Sequence, residues 1–474
     1  MWKVLLCACL LASGSISSTV FIDGPTSASN KKDGLIVHEW GTFTTFSGSN
    51  GVHLDFRPLQ DDDLPGFVLN RAEQSGHVWF GKGRIRTRVR METPVTYFYT
   101  DTERTVRVSV DFPQGLLTEF YPPVAAMSPP FNADLAIGGD GEPVGHSTLD
   151  WGHIDLIPLS HLRPAIKDDL TAEWLRQRFL ESILPPAGDN HYQHARNTDS
   201  ALVHVRHQAP AQSNETAAGS AQLFPGDFIE KFLFYRGVGK FDVPVSVVTS
   251  KNGELLVSNR GQGSLNRMIL LRVNGESLTY SIIPDVATGQ TIRTTAPSTR
   301  IELEELREIT IQELTSAGLY VKEAQAMVDT WTTSWFTEEG TRLFYFVPQQ
   351  LTDTLLPLHI TPTPYETLRV MVGRVEIMSA SQEARLLTVV KRSATERARL
   401  YREQAETGLA GPTEMPVPPE FAELGRLAEP ALARIREISS DRVVQDEADF
   451  LIAQLRADLA EAEQQQQESA QAAR

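Results

Sequence analysis

Cysteine is nearly absent. The chain has two, Cys7 and Cys9, both within its first nine residues. Everything downstream must do without disulfides, a thiol nucleophile, thiolate-held zinc or iron–sulfur clusters. Positive charge is scarce too: 44 Lys and Arg stand against 60 Asp and Glu, a formal net charge of -16. Such a surface neither neutralises nucleic-acid phosphates nor docks on anionic lipid. Long apolar runs are missing, so no segment of the mature chain is expected to cross a membrane as a helix. Two catalytic signatures are missing as well. No Gly-x-Ser-x-Gly elbow presents a nucleophilic serine. No P-loop cradles phosphate, and Gly237-Val238-Gly239 reads as a bend that ends a strand.

What is present is a globular composition, 41% hydrophobic and 22% charged over 474 residues. That length predicts two or three domains. Lys3, the apolar run from Val4 to Ala12 and the small residues that follow read as a signal peptide over 1–18. The expected location is periplasmic or extracellular. Lipidation at Cys9 is the alternative, and the very short apolar run before Cys9 counts against it. A polar linker is expected over 19–34. Asn214-Glu215-Thr216 is a glycosylation sequon.

The first folded stretch is Leu35 to Phe46. As a strand it has two faces by period-two alternation. Leu35, Val37, Glu39, Gly41 and Phe43 share one; Ile36, His38, Trp40, Thr42 and Phe46 share the other. Glu39 thus falls among apolar neighbours, where a carboxylate is costly unless paired. Farther on, Asp61-Asp62-Asp63 reads as a solvated turn. Arg84, Arg86, Arg88 and Arg90 alternate onto one strand face. Val95–Tyr99 and Val106–Phe112 read as a hairpin around Asp101–Arg104. Helical spacing predicts a helix over Asp168–Leu184, stopped by Pro185-Pro186. Strands are expected at 201–206, 228–237, 243–249, 254–258, 267–273 and 278–283, with turns at Asn252-Gly253 and Asn274-Gly275.

Thr299 with Glu302 fits a capping box opening a first helix that Gly318 ends. A second helix places Tyr320, Ala324, Met327, Val328, Trp331 and Trp335 on one stripe, expected to be core. Two strands follow at 342–348 and 367–378. After Ser379 the composition turns to Glu, Arg, Ala, Leu and Gln, giving helices at 380–407, 419–437 and 440–466 and a disordered Gln-rich end. The expected fold class is α+β: a large antiparallel, β-sandwich-like domain over 35–300, a helical pair plus two strands packed on it over 301–378, and a helical C-terminal region over 379–474.

Several stretches carry a resemblance. They are His38-Glu39-Trp40-Gly41-Thr42-Phe43-Thr44, Arg90-Met91-Glu92-Thr93-Pro94-Val95, the run Glu230 to Gly239, Ser334 to Gly340, and Leu368 to Glu376. Over roughly 35–380 the chain resembles a family of uncharacterised exported bacterial proteins. The resemblance implies export and brings no activity. Similar proteins carry Tyr and Ala where this chain has histidine around 191–196, which counts against a family-wide metal role there.

Function must therefore be argued from residues. Glutamates and arginines recur on otherwise apolar strands: Glu39, Glu92, Glu119 and Glu230, with Arg90, Arg236, Arg374 and Glu376. Two of these glutamates in one cleft would suit glycoside hydrolysis, with Trp40, Tyr97, Tyr99 and Trp151 stacking on sugar. The competing explanation is a set of buried Arg–Glu pairs tying sheets together. Histidines cluster between His146 and His207, and His191 and His194 stand at a spacing that a helix could turn onto one metal. Surface histidines are the simpler account. With no complete signature, the leading expectation is a non-catalytic exported protein that binds an envelope component, a glycan or another protein, through residues such as His38, Trp40 and the arginines above. A secreted carbohydrate-directed hydrolase and a histidine-rich metal-binding protein are the alternatives. Whether the protein is an enzyme stays open.

Overall fold

The computed structural model describes residues 34–56, 64–71, 87–130, 145–162, 177–207, 224–407 and 416–472. The signal peptide, both cysteines, nearly all of the linker, Asp61–Asp63, Arg84, Arg86, the start of the 168–184 helix and the Asn214 sequon lie outside them.

The fold is α+β. Its spine is the strand Ile36–Ser47, every residue of which is buried. It lies inside an 11-stranded sheet, between Val89–Tyr99 and Glu366–Ile377. A 6-stranded antiparallel sheet and a 3-stranded sheet accompany it. The expected alternation is realised. Leu35, Val37 and Phe43 enter one core with Val106, Val108, Trp151 and Val205 of the 6-stranded sheet and Val247 and Val257 of the 3-stranded one. Ile36 and Trp40 enter a second core against the helices Leu303–Ser316 and Val321–Thr332. Sheet on sheet lies to one side, helix on sheet to the other.

Four expectations need correction. The strand Glu366–Ile377 does not sit on the outside of the β domain; it pairs in parallel with Ile36–Ser47 along the whole length of both. The sheet is therefore mixed, and the 301–378 segment supplies part of its centre. Val89–Tyr99 and Arg104–Phe112 form no hairpin, because the first pairs within the large sheet and the second within the 6-stranded sheet. Both bury an apolar face against the same core, so the chain turns a sandwich corner. The 228–237 strand breaks at Lys231-Phe232 for the same reason: Gly226–Glu230 belongs to the 6-stranded sheet and Leu233–Gly239 to the large one. The Thr299–Glu302 capping box does not form, since Thr299 is in a strand and Glu302 makes no side-chain cap.

A bulge marks the spine. Its register against Val89–Tyr99 shifts between Trp40 and Thr42, and opposite it Thr93 takes φ 50 before Pro94. A Cβ on Gly41 would stand 3.0 Å from Pro94 and from the Met371 sulfur. Beyond the spine, the C-terminal helices Ala380–Thr407, Ala428–Ile438 and Arg442–Ala472 pack on Phe46, Leu54 and Met378. The last helix continues through Ala472.

Candidate functional site

The four candidate carboxylates are all within the folded interior. Glu39 is fully buried, and both its oxygens are occupied. Oε1 accepts from Thr96 Oγ1 at 2.8 Å and Tyr235 OH at 2.6 Å. Oε2 accepts from Arg369 Nε at 2.7 Å, and Arg369 Nη2 stands 2.6 Å away. Burial disfavours charge on Arg369, but Glu39 and Tyr235 outweigh it and hold the guanidinium above its usual pKa. Burial, then Glu39, pushes the Tyr235 hydroxyl far up.

Glu230 is likewise fully buried. It receives Nε of Arg196 at 3.0 Å and Nη2 at 2.6 Å, plus the Lys231 N–H at 2.8 Å. The partner is thus Arg196, on the short helix His191–Arg196, and not Arg236. The guanidinium of Arg236 lies over the Phe234 ring, opposite Glu119 in register. Glu119 accepts from Thr118 Oγ1. Glu92 accepts from Thr44 Oγ1 at 2.7 Å and faces Arg90 Nε at 3.1 Å. Arg374 and Glu376 join at 2.5 Å, and Arg374 reaches Glu338 at 2.8 Å. Arg342 meets Glu376 and donates to the carbonyls of Ser334, Trp335, Glu338 and Glu339. It thereby satisfies carbonyls that the end of the second helix leaves open.

The predicted binding residues fare similarly. Trp40 and Tyr97 are both fully buried, their ring centroids 6.3 Å apart, and the Tyr97 hydroxyl donates to the Ala195 carbonyl. Trp151 is buried in the sandwich core, so none of these rings is presented to a sugar. His38 has a partner that its sequence neighbours do not suggest: its Nδ1 lies 2.8 Å from Glu323, which also accepts from Tyr99 OH and the Tyr320 N–H. His191 packs near Trp331. Among the described residues no three His, Asp or Glu side chains converge as a metal set.

An open volume lies at the end of the spine. After Ser47 the chain makes a turn tied on two sides. Glu383 accepts from the Ser49 N–H and hydroxyl, and the Thr249 N–H and Ser246 hydroxyl donate to the Ser49 and Gly51 carbonyls. Beyond it opens a cleft of about 690 Å³. Its walls are Gly51–His53, Arg88, Asp242–Ser246, Arg260–Gln262 and, from the helix Gln349–Leu355, Gln350, Leu351 and Thr354. That is the size range of small-molecule sites.

The rim is built. Asn259, buried, holds the 259–263 loop from within: its Oδ1 accepts from the Gly261 N–H at 3.0 Å, and its Nδ2 donates to the carbonyls of Gly263 at 2.8 Å and Val286 at 2.9 Å. The Arg260 N–H donates to the Pro244 carbonyl. A Cβ on Gly261 would lie 2.5 Å from Pro244 Cβ, so only glycine lets the loop lie this close. Gly51, at φ 77, would set a Cβ 2.5 Å from Ser246 Oγ.

Charge at the cleft is incompletely paired. Arg88 meets Asp55 at 3.2 Å and Asp242 at 2.9 Å, and Asp242 is 93% exposed. The exposed Arg260 guanidinium makes no ion pair or hydrogen bond with any described residue. The Nε2 of His53 lies 2.7 Å from the Val245 carbonyl, and its buried Nδ1 has no partner among the described residues. Burial pushes the imidazole pKa down; Arg88 and Arg260 add to this, while the Val245 bond and Asp242 oppose it. These residues come from five separate segments. Of these only Arg88 stood out in the sequence; the polar, glycine-rich Asn259–Gly263 run between two strands is the signal that could have pointed to the rest.

No protein-family model matches the chain, and no curated protein matches it. Among solved structures, the yeast delta-COP-I mu-homology domain aligns with 73% of this chain and 98% of its own, at 7% identity and a TM-score of 0.24. A score that low carries no argument.

Proposed function

We propose that the protein is an exported, non-catalytic binding protein that holds its ligand in the cleft between the Gly51–His53 turn, the Arg260–Gln262 loop and the Gln349–Leu355 helix. One observation carries the reading. The carboxylates a glycosidase would use are enclosed and matched to arginine or hydroxyl donors, whereas among the described residues the cleft is lined by one carboxylate, Asp242, and two arginines. Glycoside hydrolysis needs two carboxyl groups roughly 5 to 10 Å apart on an open site. A fixed rim around an open volume favours recognition, because the loop geometry is set before the ligand arrives.

The test is a thermal-shift screen of the purified chain against small metabolites and oligosaccharides, with each hit recovered and analysed by NMR. The expected result is a saturable rise in melting temperature and a ligand recovered unchanged. Turnover of a hit, abolished by Glu39→Gln or Glu230→Gln without loss of melting temperature, would sink the proposal and favour the hydrolase.

A further inference from the structure

We infer that the ligand of this cleft is a small organic anion, a carboxylate or phosphate ester, seated on Arg260 and Arg88. The inference rests on the binding reading above and names its ligand class. It starts from charge. In a chain of net charge -16, the described residues that line the cleft include two guanidinium groups and one carboxylate. Arg260 is held at its backbone by Pro244 and the Asn259-centred loop, while its side chain has no acceptor among the described residues. A guanidinium offers five N–H donors in a planar fork that fits an oxyanion. Arg88 has acceptors, but Asp242 is almost fully solvated, and such a pair contributes little and can be exchanged for a ligand oxygen.

His53 supplies a second line of argument. A carbonyl only accepts, so Nε2 carries the proton toward Val245 and the neutral ring leaves Nδ1 as an unfilled acceptor. Besides burial, the charged groups acting on this ring are Arg88, Asp242 and Arg260. Burial is the main cause that disfavours charge on the ring, and an anion bound on the two arginines would cancel the part that Arg88 and Arg260 add to it. Binding should then draw a proton onto His53 and tighten as pH falls. Among the described residues no Trp, Tyr or Phe lines the cleft, so they offer no platform for stacking on a neutral sugar or a base.

The experiment is isothermal titration of the full purified chain with succinate, citrate and glycerol phosphate, with inorganic phosphate as the simple-ion arm and maltose as the neutral arm. The expected result is one-to-one binding of an organic anion that weakens with added salt. Arg260→Glu, at an exposed position, should weaken it about 10- to 100-fold, the worth of a charge-assisted hydrogen bond, with the melting temperature kept. Arg260→Gln should fall between. His53→Gln should remove the tightening at acid pH, so that the affinity of the variant no longer rises as pH falls. A carboxylate preference over glycerol phosphate, or the reverse, identifies the oxyanion. Inorganic phosphate binding as tightly as every organic probe would overturn the inference. So would maltose binding that Arg260→Glu leaves unchanged, although the binding reading would then stand. If no organic anion binds at about 10 mM, beyond the range of weak affinity, the inference falls, and the binding reading is decided separately by the thermal-shift screen.

Discussion

Glu39 and Asp242 are both carboxylates beside an arginine, and their surroundings make them different objects. Glu39 is enclosed, with two hydroxyls on one oxygen and Arg369 on the other. Asp242 is 93% exposed and holds Arg88 by a single contact. Taking both charges of the first pair out of water is expensive, and the pair persists because both Glu39 oxygens accept hydrogen bonds and Arg369 also donates to Asp353 and the Leu356 carbonyl. The second pair stays in water and holds little energy. A saturated, closed group has nothing left to offer a substrate. A half-matched group at an opening does. Charged residues on strands therefore mark function only where their pairing is incomplete and solvent can reach them.

The sharpest way to break this contrast is to remove one arginine from each region. Arg369→Met strands Glu39 without its counter-charge, and the expected loss is about 3–5 kcal/mol in urea denaturation of the full chain. Arg260→Met should change stability by less than about 0.5 kcal/mol. Equal effects would mean that the two regions do not differ as described. Glu39→Gln added to Arg369→Met should cost less than the sum of the single changes, because neither charge is then left alone.

The rim glycines come next in size. Gly261→Val drives a side chain into Pro244, and Gly51→Ala forces a Cβ onto Ser246 at φ 77. Each should cost about 1–3 kcal/mol by overpacking and backbone strain. Gly261→Val should also displace the Arg260 loop and weaken ligand binding, while Gly253→Ala, at a positive-φ turn with open space around it, should cost stability alone. A Gly261→Val protein that binds as well as the parent would show that the loop does not shape the cleft.

Much of the frame was legible from the chain. Period-two alternation assigned Val37 and Phe43 to one core and Ile36 and Trp40 to the other. The Asn-Gly turns closed the expected hairpins, with Gly253 at φ 84 and Gly275 at φ 57. Trp331 and Trp335 lie in the core. What escaped was long-range. The parallel pairing of Ile36–Ser47 with Glu366–Ile377 joins segments more than three hundred residues apart, and no local pattern announces it. Nor does local pattern tell a hairpin from a sandwich corner, since both strands alternate alike. The arginine–glutamate network was anticipated as a type, but Arg369 and Arg196 were not named as partners. The cleft escaped for a related reason: it is assembled from isolated side chains in loops, and only the three-dimensional rim reveals that Arg260 lacks an acceptor among the described residues.

The smallest expected effect concerns His53. Burial holds its imidazole pKa below the ordinary value, about 6.5 in an unfolded chain. Above that pH both states are neutral and the residue adds no pH dependence. As pH falls through about 6.5, the unfolded chain takes up a proton that the folded chain does not, so stability declines. The decline levels off below the folded pKa, where both states are protonated. His53→Gln removes this contribution and leaves the other histidines and the carboxylates in place. The difference in urea midpoint between parent and variant should therefore move against the parent between about pH 8 and pH 5, spanning the ordinary histidine pKa. A saturating anion should shrink that movement, because it favours the imidazolium beside Arg88 and Arg260. A parent that gains stability relative to His53→Gln on acidification would show that His53 is charged in the empty cleft, and the cleft would then be more cationic than the Nε2–Val245 contact implies.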